Sequence, residues 1–399
     1  MPDDSKFDRR QAAGALAGFC AFVSLYAPQP LLPLLAAEFH TSVAGISILI
    51  TIATLGMAAF APVAGIMADH WGRKAVIVPA SLLLAVPSAL AATAANVGQL
   101  AFWRFFVGVF TPGVSVVIAA YINEEWVQGV GSAMGAYVSG TVIGGFSGRI
   151  IMGLVAARFS WRAAFLTLAV LNALGGLGVW IWLPAGRRFV KADSAASTLA
   201  AMARHLKNPR LVATYAVGFC VLFSMLATFT YVNFYLAAPP FGLSPAALGF
   251  LFVVYLAGAA ASPVAGRWVD RKGHRFVLVV AFSGGVVGIL LTLFPSLPLI
   301  MLGLALCCTG VFTAQAASTS YVGIAAREAR AAAVGLYVMF YYIGGSAGAA
   351  IPGRFWNRGG WPACVVLIAA LQILIILLAV LFWQPKQSAA PASLSEMPL

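Results

Sequence analysis

PVAGIMADHWGRK, residues 62–74, returns as PVAGRWVDRKGHR at residues 263–275. Across an offset of 201, Gly65, Asp69, Gly72 and Lys74 meet Gly266, Asp270, Gly273 and Arg275, and His274 stands where the first copy has Arg73. A chain that repeats a motif in register over such a distance is built from two copies of one unit, so other stretches should repeat too. GGFSGRIIMG (144–153) does, at an offset of 200, as GGSAGAAIPG (344–353), with the four glycines in place and Ala349 where the first copy has Arg149. Gly135, Tyr137, Ile143 and Trp161 match Gly335, Tyr337, Ile343 and Trp361, and GFC at 18–20 with Ser24 recurs at 218–220 with Ser224.

The repeated unit is apolar. The 399 residues are 62% hydrophobic and 9% charged, against about a quarter charged in soluble domains. A bilayer core about 30 Å thick needs about 20 apolar residues per helix, and runs of that length recur along the whole chain. They are continuous rather than alternating apolar and polar, which counts against a β-barrel. The expected fold is an all-α integral membrane protein with spans at 12–36, 43–68, 75–95, 97–122, 131–157 and 162–184, then 211–237, 245–269, 276–295, 297–322, 331–351 and 361–384. These twelve transmembrane helices form two pseudo-symmetric six-helix bundles. An N-terminal bundle covers 1–185, a polar basic linker 186–210, and a C-terminal bundle 211–399.

The net charge of +13 is spread over short connections rather than gathered on one face, so it sets topology and does not imply nucleic acid. With both termini inside, about 18 of the 24 Lys and Arg residues fall on the inner side, as the positive-inside rule requires. Arg158, Arg162, Arg354 and Arg358 lie outside, and Arg104 and Arg149 lie within spans. The acidic start MPDDSKFDRR lacks the basic region of a cleavable signal. The five cysteines fall in spans without metal-ligand spacing to histidine, so no metal and no cofactor is expected. With no nucleotide loop and no nucleophile paired to a base, an enzyme is not expected and an ATP-driven pump is excluded, so energy must come from a gradient. A membrane receptor or scaffold is a remote reading, because no loop is long enough for a soluble domain.

The GxxxDxxGRK pattern of Gly65, Asp69, Gly72, Arg73 and Lys74, repeated after span 8, resembles the signature of the major facilitator superfamily. Chemically, a glycine near a helix end allows close packing of a neighbour, and Arg73 and Lys74 can pair with Glu124 and Glu125 at the end of span 4. Such a cluster can latch one conformation, with a weaker second latch at Asp270 and Arg275. Arg104 and Gly108 match the RxxxG part of a fourth-span motif of this superfamily, with Val107 where a glutamine is common. SGTVIGGFSGR, with Gly140, Gly144 and Gly148 four apart, is similar to the antiporter motif of the twelve-span drug:proton branch, although the usual proline is missing. YINEEW followed by GAYVSGTVIGGFSGRIIMG looks like the YnfM-type inner-membrane transport proteins. The resemblance implies proton-coupled efflux of a small molecule through a bacterial inner membrane by a multi-pass monomer, with membrane lipid and protons as partners.

At about 1.5 Å per helical residue, Arg104 lies about 10 Å and Arg149 about 12 Å inside the outer boundary. A charge in a span costs at least about 3 kcal/mol and marks a cavity or a partner. Gly145 and Gly153, one turn on either side, leave room for the Arg149 side chain. No Asp or Glu lies well inside any span, so these arginines face an anionic substrate, hydroxyls, water or backbone carbonyls, or extend toward the interface. Tyr26, Gln29, Asn233, Gln315, Tyr341 and Tyr342 are further candidate cavity residues, each with ordinary packing as the alternative. Pro28, Pro30 and Pro33 should kink span 1. Missing membrane carboxylates count against efflux of a cation and favour an alternative, uptake or exchange of an organic anion. Glu38, the carboxylate on the outer side, is the candidate for proton coupling.

Overall fold

The computed structural model describes residues 9–126, 128–186, 195–326 and 328–383. The acidic start before residue 9, linker residues 187–194 and the tail from 384 lie outside the described residues. A backbone without water must satisfy its own hydrogen bonds, and a helix does so locally. Eleven helices among the described residues are long and apolar enough to cross a membrane. They are span 2, Val43–Trp71; span 3, Arg73–Ala91; span 4, Val97–Glu125; span 5, Val130–Arg158; and span 6, Trp161–Trp182. The second set is span 7, Pro209–Ala237; span 8, Pro245–Lys272; span 9, His274–Leu291; span 10, Leu297–Ala325; span 11, Ala332–Ala350; and span 12, Pro352–Phe382.

Span 1 is broken. Its helix Arg9–Val23 gives way to turns over 24–28, a 3-10 turn Gln29–Leu31 and a short helix Leu32–Glu38. Proline lacks the N–H that a helix interior needs, and its ring crowds the carbonyl one turn earlier. Pro28, Pro30 and Pro33 therefore free carbonyls that must find donors elsewhere. Span 8 contains a milder irregularity, the 3-10 turn Leu251–Val254. Span 12 begins nine residues before its expected start, and the expected start follows a break at Gly359 and Gly360.

The glycines of the two repeats serve packing. A Cβ on Gly140, Gly144 or Gly148 would strike the carbonyls of Ala15, Phe19 and Val23, and one on Gly344 or Gly348 would strike those of Phe219 and Phe223. Spans 5 and 11 thus lie on spans 1 and 7 at backbone contact, as small residues permit. The same pseudo-symmetry governs buried polar groups: Asn172 donates to Ser24 (2.5 Å) and Gln372 to Ser224 (2.9 Å).

The linker helix Ala195–His205 marks one side of the molecule, the linker side. On the opposite, far side the two sets of six spans touch. Thr54 and Ser346 share a hydrogen bond of 2.9 Å, Gly353 abuts Ala44, and Gly153 abuts the Pro245 carbonyl. Gly153 therefore serves the contact between bundles rather than making room for Arg149. The loop glycines Gly72 and Gly273, with φ of 91° and 85°, join spans 2–3 and 8–9 in a conformation that glycine adopts without a Cβ penalty. Gly65 and Gly266 differ from the packing expectation, since a Cβ on either would meet nothing within 4 Å.

Candidate functional site

Arg149 and Arg104 are both fully covered by protein, at 0% and 1% exposure, but they use their guanidinium groups differently. The carbonyls released by the break in span 1 are taken by Arg104. Its Nη1 donates to the Ser24 carbonyl (2.8 Å), Nη2 to that of Leu25, and Nε to that of Leu49 (3.4 Å). Three neutral backbone acceptors hold the charge, and the side chain ties span 4 to spans 1 and 2. Arg104 does not line the central cavity.

Arg149 does. A cavity of about 120 Å³ between the two bundles is lined by Tyr26, Gly145, Arg149, Tyr255, Gln315, Tyr341 and Tyr342, with Phe22, Thr141, Val142, Leu222, Met225 and Phe312 completing its wall. Nε of Arg149 donates to Oε1 of Gln29 (2.7 Å), Nη1 to its own Gly145 carbonyl, and Nη2 to Oη of Tyr255 (3.4 Å). The Gly145 contact is one turn back on the same helix, as an i to i−4 reach allows. Its Cζ lies 4.5 Å from the ring centre of Phe252, 4.8 Å from Tyr255 and 5.2 Å from Tyr26. Ring faces attract a cation, and more so where water is excluded.

Gln29 continues the chain. Its Nε2 donates to Oγ1 of Thr230 (3.0 Å), so Arg149 and Gln29 from the first six spans are bonded to Tyr255 and Thr230 from the last six. Gly249 lets this happen, because its Cα side lies against the Arg149 carbonyl, where a Cβ would come within 2.9 Å. No Asp or Glu appears among the bonding partners or the cavity walls around Arg149 among the described residues. The repeat makes the asymmetry plain. Span 2 crosses span 11 through two hydroxyls, Thr54 and Ser346, while the equivalent crossing of spans 8 and 5 carries Tyr255 and the charge of Arg149.

The remaining candidates separate. Tyr26, Gln315, Tyr341 and Tyr342 reach the cavity. Asn233 is buried, and its amide donates to the Phe229 carbonyl (2.6 Å) outside the cavity wall. Glu38 closes the short helix after the break, half exposed, 3.3 Å from Nε1 of Trp161 and 3.7 Å from Arg162. Tyr255, Thr230 and Phe252 were missed by sequence reasoning. Tyr255 carried a faint signal as the hydroxyl within the apolar run LFVVYLAG.

At the linker side, Arg73 bridges two carboxylates. Nη1 meets Asp69 at 2.5 Å, while Nη2 meets Glu124 at 2.5 Å and Nε lies 3.0 Å from its other oxygen. All three belong to the first six spans, so the cluster joins the loop between spans 2 and 3 to the end of span 4. Lys74 is partly exposed beside it, and Glu125 ends the same helix near Gly186. In the second copy His274 lies 3.1 Å from Ser320, and Ile324 occupies the place corresponding to Glu124, so span 10 offers no carboxylate at that position.

The Major Facilitator Superfamily model matches residues 14–238 and 225–397, and the chain belongs to that family. It is 34% identical to the inner membrane transport protein YnfM of Escherichia coli strain K12, over 90% of this chain and 87% of that protein. It is 32% identical to the MFS-type transporter YybF of Bacillus subtilis strain 168, over 91% and 90%. In fold it is similar to a variant of the nucleoside transporter NupG (TM-score 0.76, 18% identity, 94% and 100% covered). The human organic anion transporter MFSD10 is also similar (TM-score 0.70, 18% identity, 93% and 99% covered). The protein is a multi-pass membrane protein of a transporter superfamily.

Proposed function

We propose that the chain is a secondary transporter that moves a small organic anion across the membrane by alternating access, with Arg149 as the anion-binding group. The observation that carries this reading is a fully buried guanidinium on a cavity wall, held by neutral groups alone among the described residues. Burying an unpaired charge is costly, and an entering carboxylate would supply the missing counter-charge through short, charge-assisted hydrogen bonds. Because Arg149 and Gln29 also join the two bundles, an anion that competes for the guanidinium would loosen the same contacts that shut the far side. Rocking of two repeats about a central site is the expected motion of such a transporter.

The linker side is taken as cytoplasmic on the excess of Lys and Arg there, in a bacterial inner membrane. Transport is driven by a gradient, with protons as the coupling ion and Glu38 as the proton-binding group. The support for Glu38 is its place at the end of the short helix whose start is held by Gln29. Loss of proton-driven flux in Glu38→Gln is the expected result, and unchanged flux would remove that residue from the coupling.

A thermal-shift screen of the purified protein against organic anions, cations and neutral drugs tests the reading, because a ligand that binds the folded state raises its melting temperature. Stabilisation by anions alone is expected. Stabilisation by cations with no response to anions would overturn it.

A further inference from the structure

We infer that Arg158, Arg354 and Arg358 form an anion-collecting surface around the seam where the two bundles meet on the far side. The inference rests on the anion reading above and adds where the anion meets the protein on that side.

Charge on this face is one-sided. Four arginines stand there, Arg158, Arg162, Arg354 and Arg358, all of them exposed. Among the described residues Glu38 is the one carboxylate on the far side, and His40 is exposed two residues on. Arg162 has its partners: it lies 3.7 Å from Glu38, with its Cζ 4.2 Å from the ring centre of Trp161. Arg158, Arg354 and Arg358 form no ion pair among the described residues. Orientation in the membrane does not call for them. Lys and Arg beside short loops hold those loops on the inner side, so the excess on the linker side is expected and these three oppose it.

Their placement follows the seam. Arg158 and Arg358 are repeat partners, each three residues before a tryptophan, Trp161 and Trp361. Arg354 follows Gly353, which abuts Ala44 of the other bundle, and Arg158 comes five residues after Gly153, which abuts Pro245. Helical rise puts Arg158 and Arg358 about 8 Å along the axis beyond these two contacts, or about one Debye length at physiological ionic strength. The same contacts must separate for the far side to open. A cleft between low-dielectric walls focuses the field of the charges at its rim and draws in ions of opposite sign. Small anions are therefore enriched at the opening that leads to Arg149, and cations are kept from it.

A charged-reagent assay on the full-length protein tests this without the substrate in hand. The cysteines among the described residues are all buried, whereas Ser42 and Ser244 are exposed, two residues before Ala44 and one before Pro245. Ser42→Cys and Ser244→Cys, made singly, place a thiol at each contact. Each is labelled in phosphatidylcholine vesicles with a methanethiosulfonate carrying a sulfonate and with one carrying a trimethylammonium, and the ratio of the two rates is referred to that of free 2-mercaptoethanol. The anionic reagent should be favoured at about 20 mM salt and the preference should shrink at about 0.5 M. Replacing all three arginines by Gln should lower the ratio at least about threefold. Replacing all three by Lys should keep it, because the field needs charge and not a planar fork.

An unchanged ratio in the Gln variant would overturn the inference and leave the anion reading, which is tested at Arg149, standing. Loss of the preference in the Lys variant would overturn it as well. So would phosphatidylglycerol that stays bound to the wild type but not to the Gln variant in native mass spectrometry, which would assign the three arginines to lipid headgroups. A thermal-shift response to cations alone would overturn the anion reading, and this inference with it.

Discussion

Nε of Arg149 donates to Oε1 of Gln29 at 2.7 Å, so a charged side chain of span 5 is anchored on the 3-10 turn that three prolines create in span 1. The amide end of the same Gln29 donates to Thr230 in the other bundle. One neutral side chain thus orients the guanidinium and joins the two halves of the molecule.

Gln29→Glu is the first consequence. A carboxylate at 2.7 Å would neutralise Arg149 internally and compete with any incoming anion. Anion affinity should fall by at least about tenfold, since a charge-assisted pair at a buried site contributes about 1.5–3 kcal/mol. Titration of the anion-induced thermal shift reads this directly, and an unchanged midpoint would show that Gln29 and the ligand do not share Arg149.

Arg104 predicts a loss of stability rather than of selectivity. Arg104→Ala removes a second donor from Leu49 and leaves the carbonyls of Ser24 and Leu25, in the break of span 1, without their donor, at about 1–3 kcal/mol for each that finds no water. The melting temperature in detergent should drop, with ligand charge preference retained. Arg104→Lys should recover only part of it, because an ammonium cannot span three separated acceptors as the guanidinium fork does. A wild-type melting temperature in Arg104→Ala would contradict the clamp.

The glycines divide into two groups. Gly148→Ala places a Cβ on the Val23 carbonyl and must push spans 1 and 5 apart, so a sharp fall in folded yield by size-exclusion chromatography is expected. Gly65→Ala meets open space inside a helix and should leave folded yield intact or raise stability, since alanine is favoured over glycine there by about 0.5–1 kcal/mol. Equal effects at the two positions would contradict the packing account.

The Arg73 bridge should set a rate. Asp69→Asn or Glu124→Gln removes one of the carboxylates that Arg73 binds, and such partly exposed pairs contribute only about 1 kcal/mol or less to stability. Turnover should therefore slow more than binding weakens. A turnover number unchanged in both variants would remove the latch role.

Much of this architecture was legible in the sequence. The spans follow from apolar length, the repeat from register, and the break in span 1 from Pro28, Pro30 and Pro33. Arg149 stood out because its repeat partner is Ala349. What surrounds it was not legible. Tyr255 and Thr230 reach Arg149 and Gln29 only through the docking of one bundle on the other, and no periodicity within a helix reports which residue faces it from a different bundle. Arg104 and Arg149 looked alike because depth along a helix says nothing about direction around it. One turned toward freed carbonyls and the other toward a cavity. Gly153 was misread for a related reason: its neighbour is Pro245, far away in sequence, rather than the side chain one turn below.

The central claim is that Arg149 binds the transported anion. Counterflow in proteoliposomes, using the organic anion that gives the largest thermal shift, tests it with wild type, Arg149→Lys and Arg149→Ala matched for reconstituted protein. The account predicts flux at background in Arg149→Ala and at least about tenfold reduced in Arg149→Lys, which keeps the charge but loses the bidentate fork. Wild-type flux in both variants would contradict it.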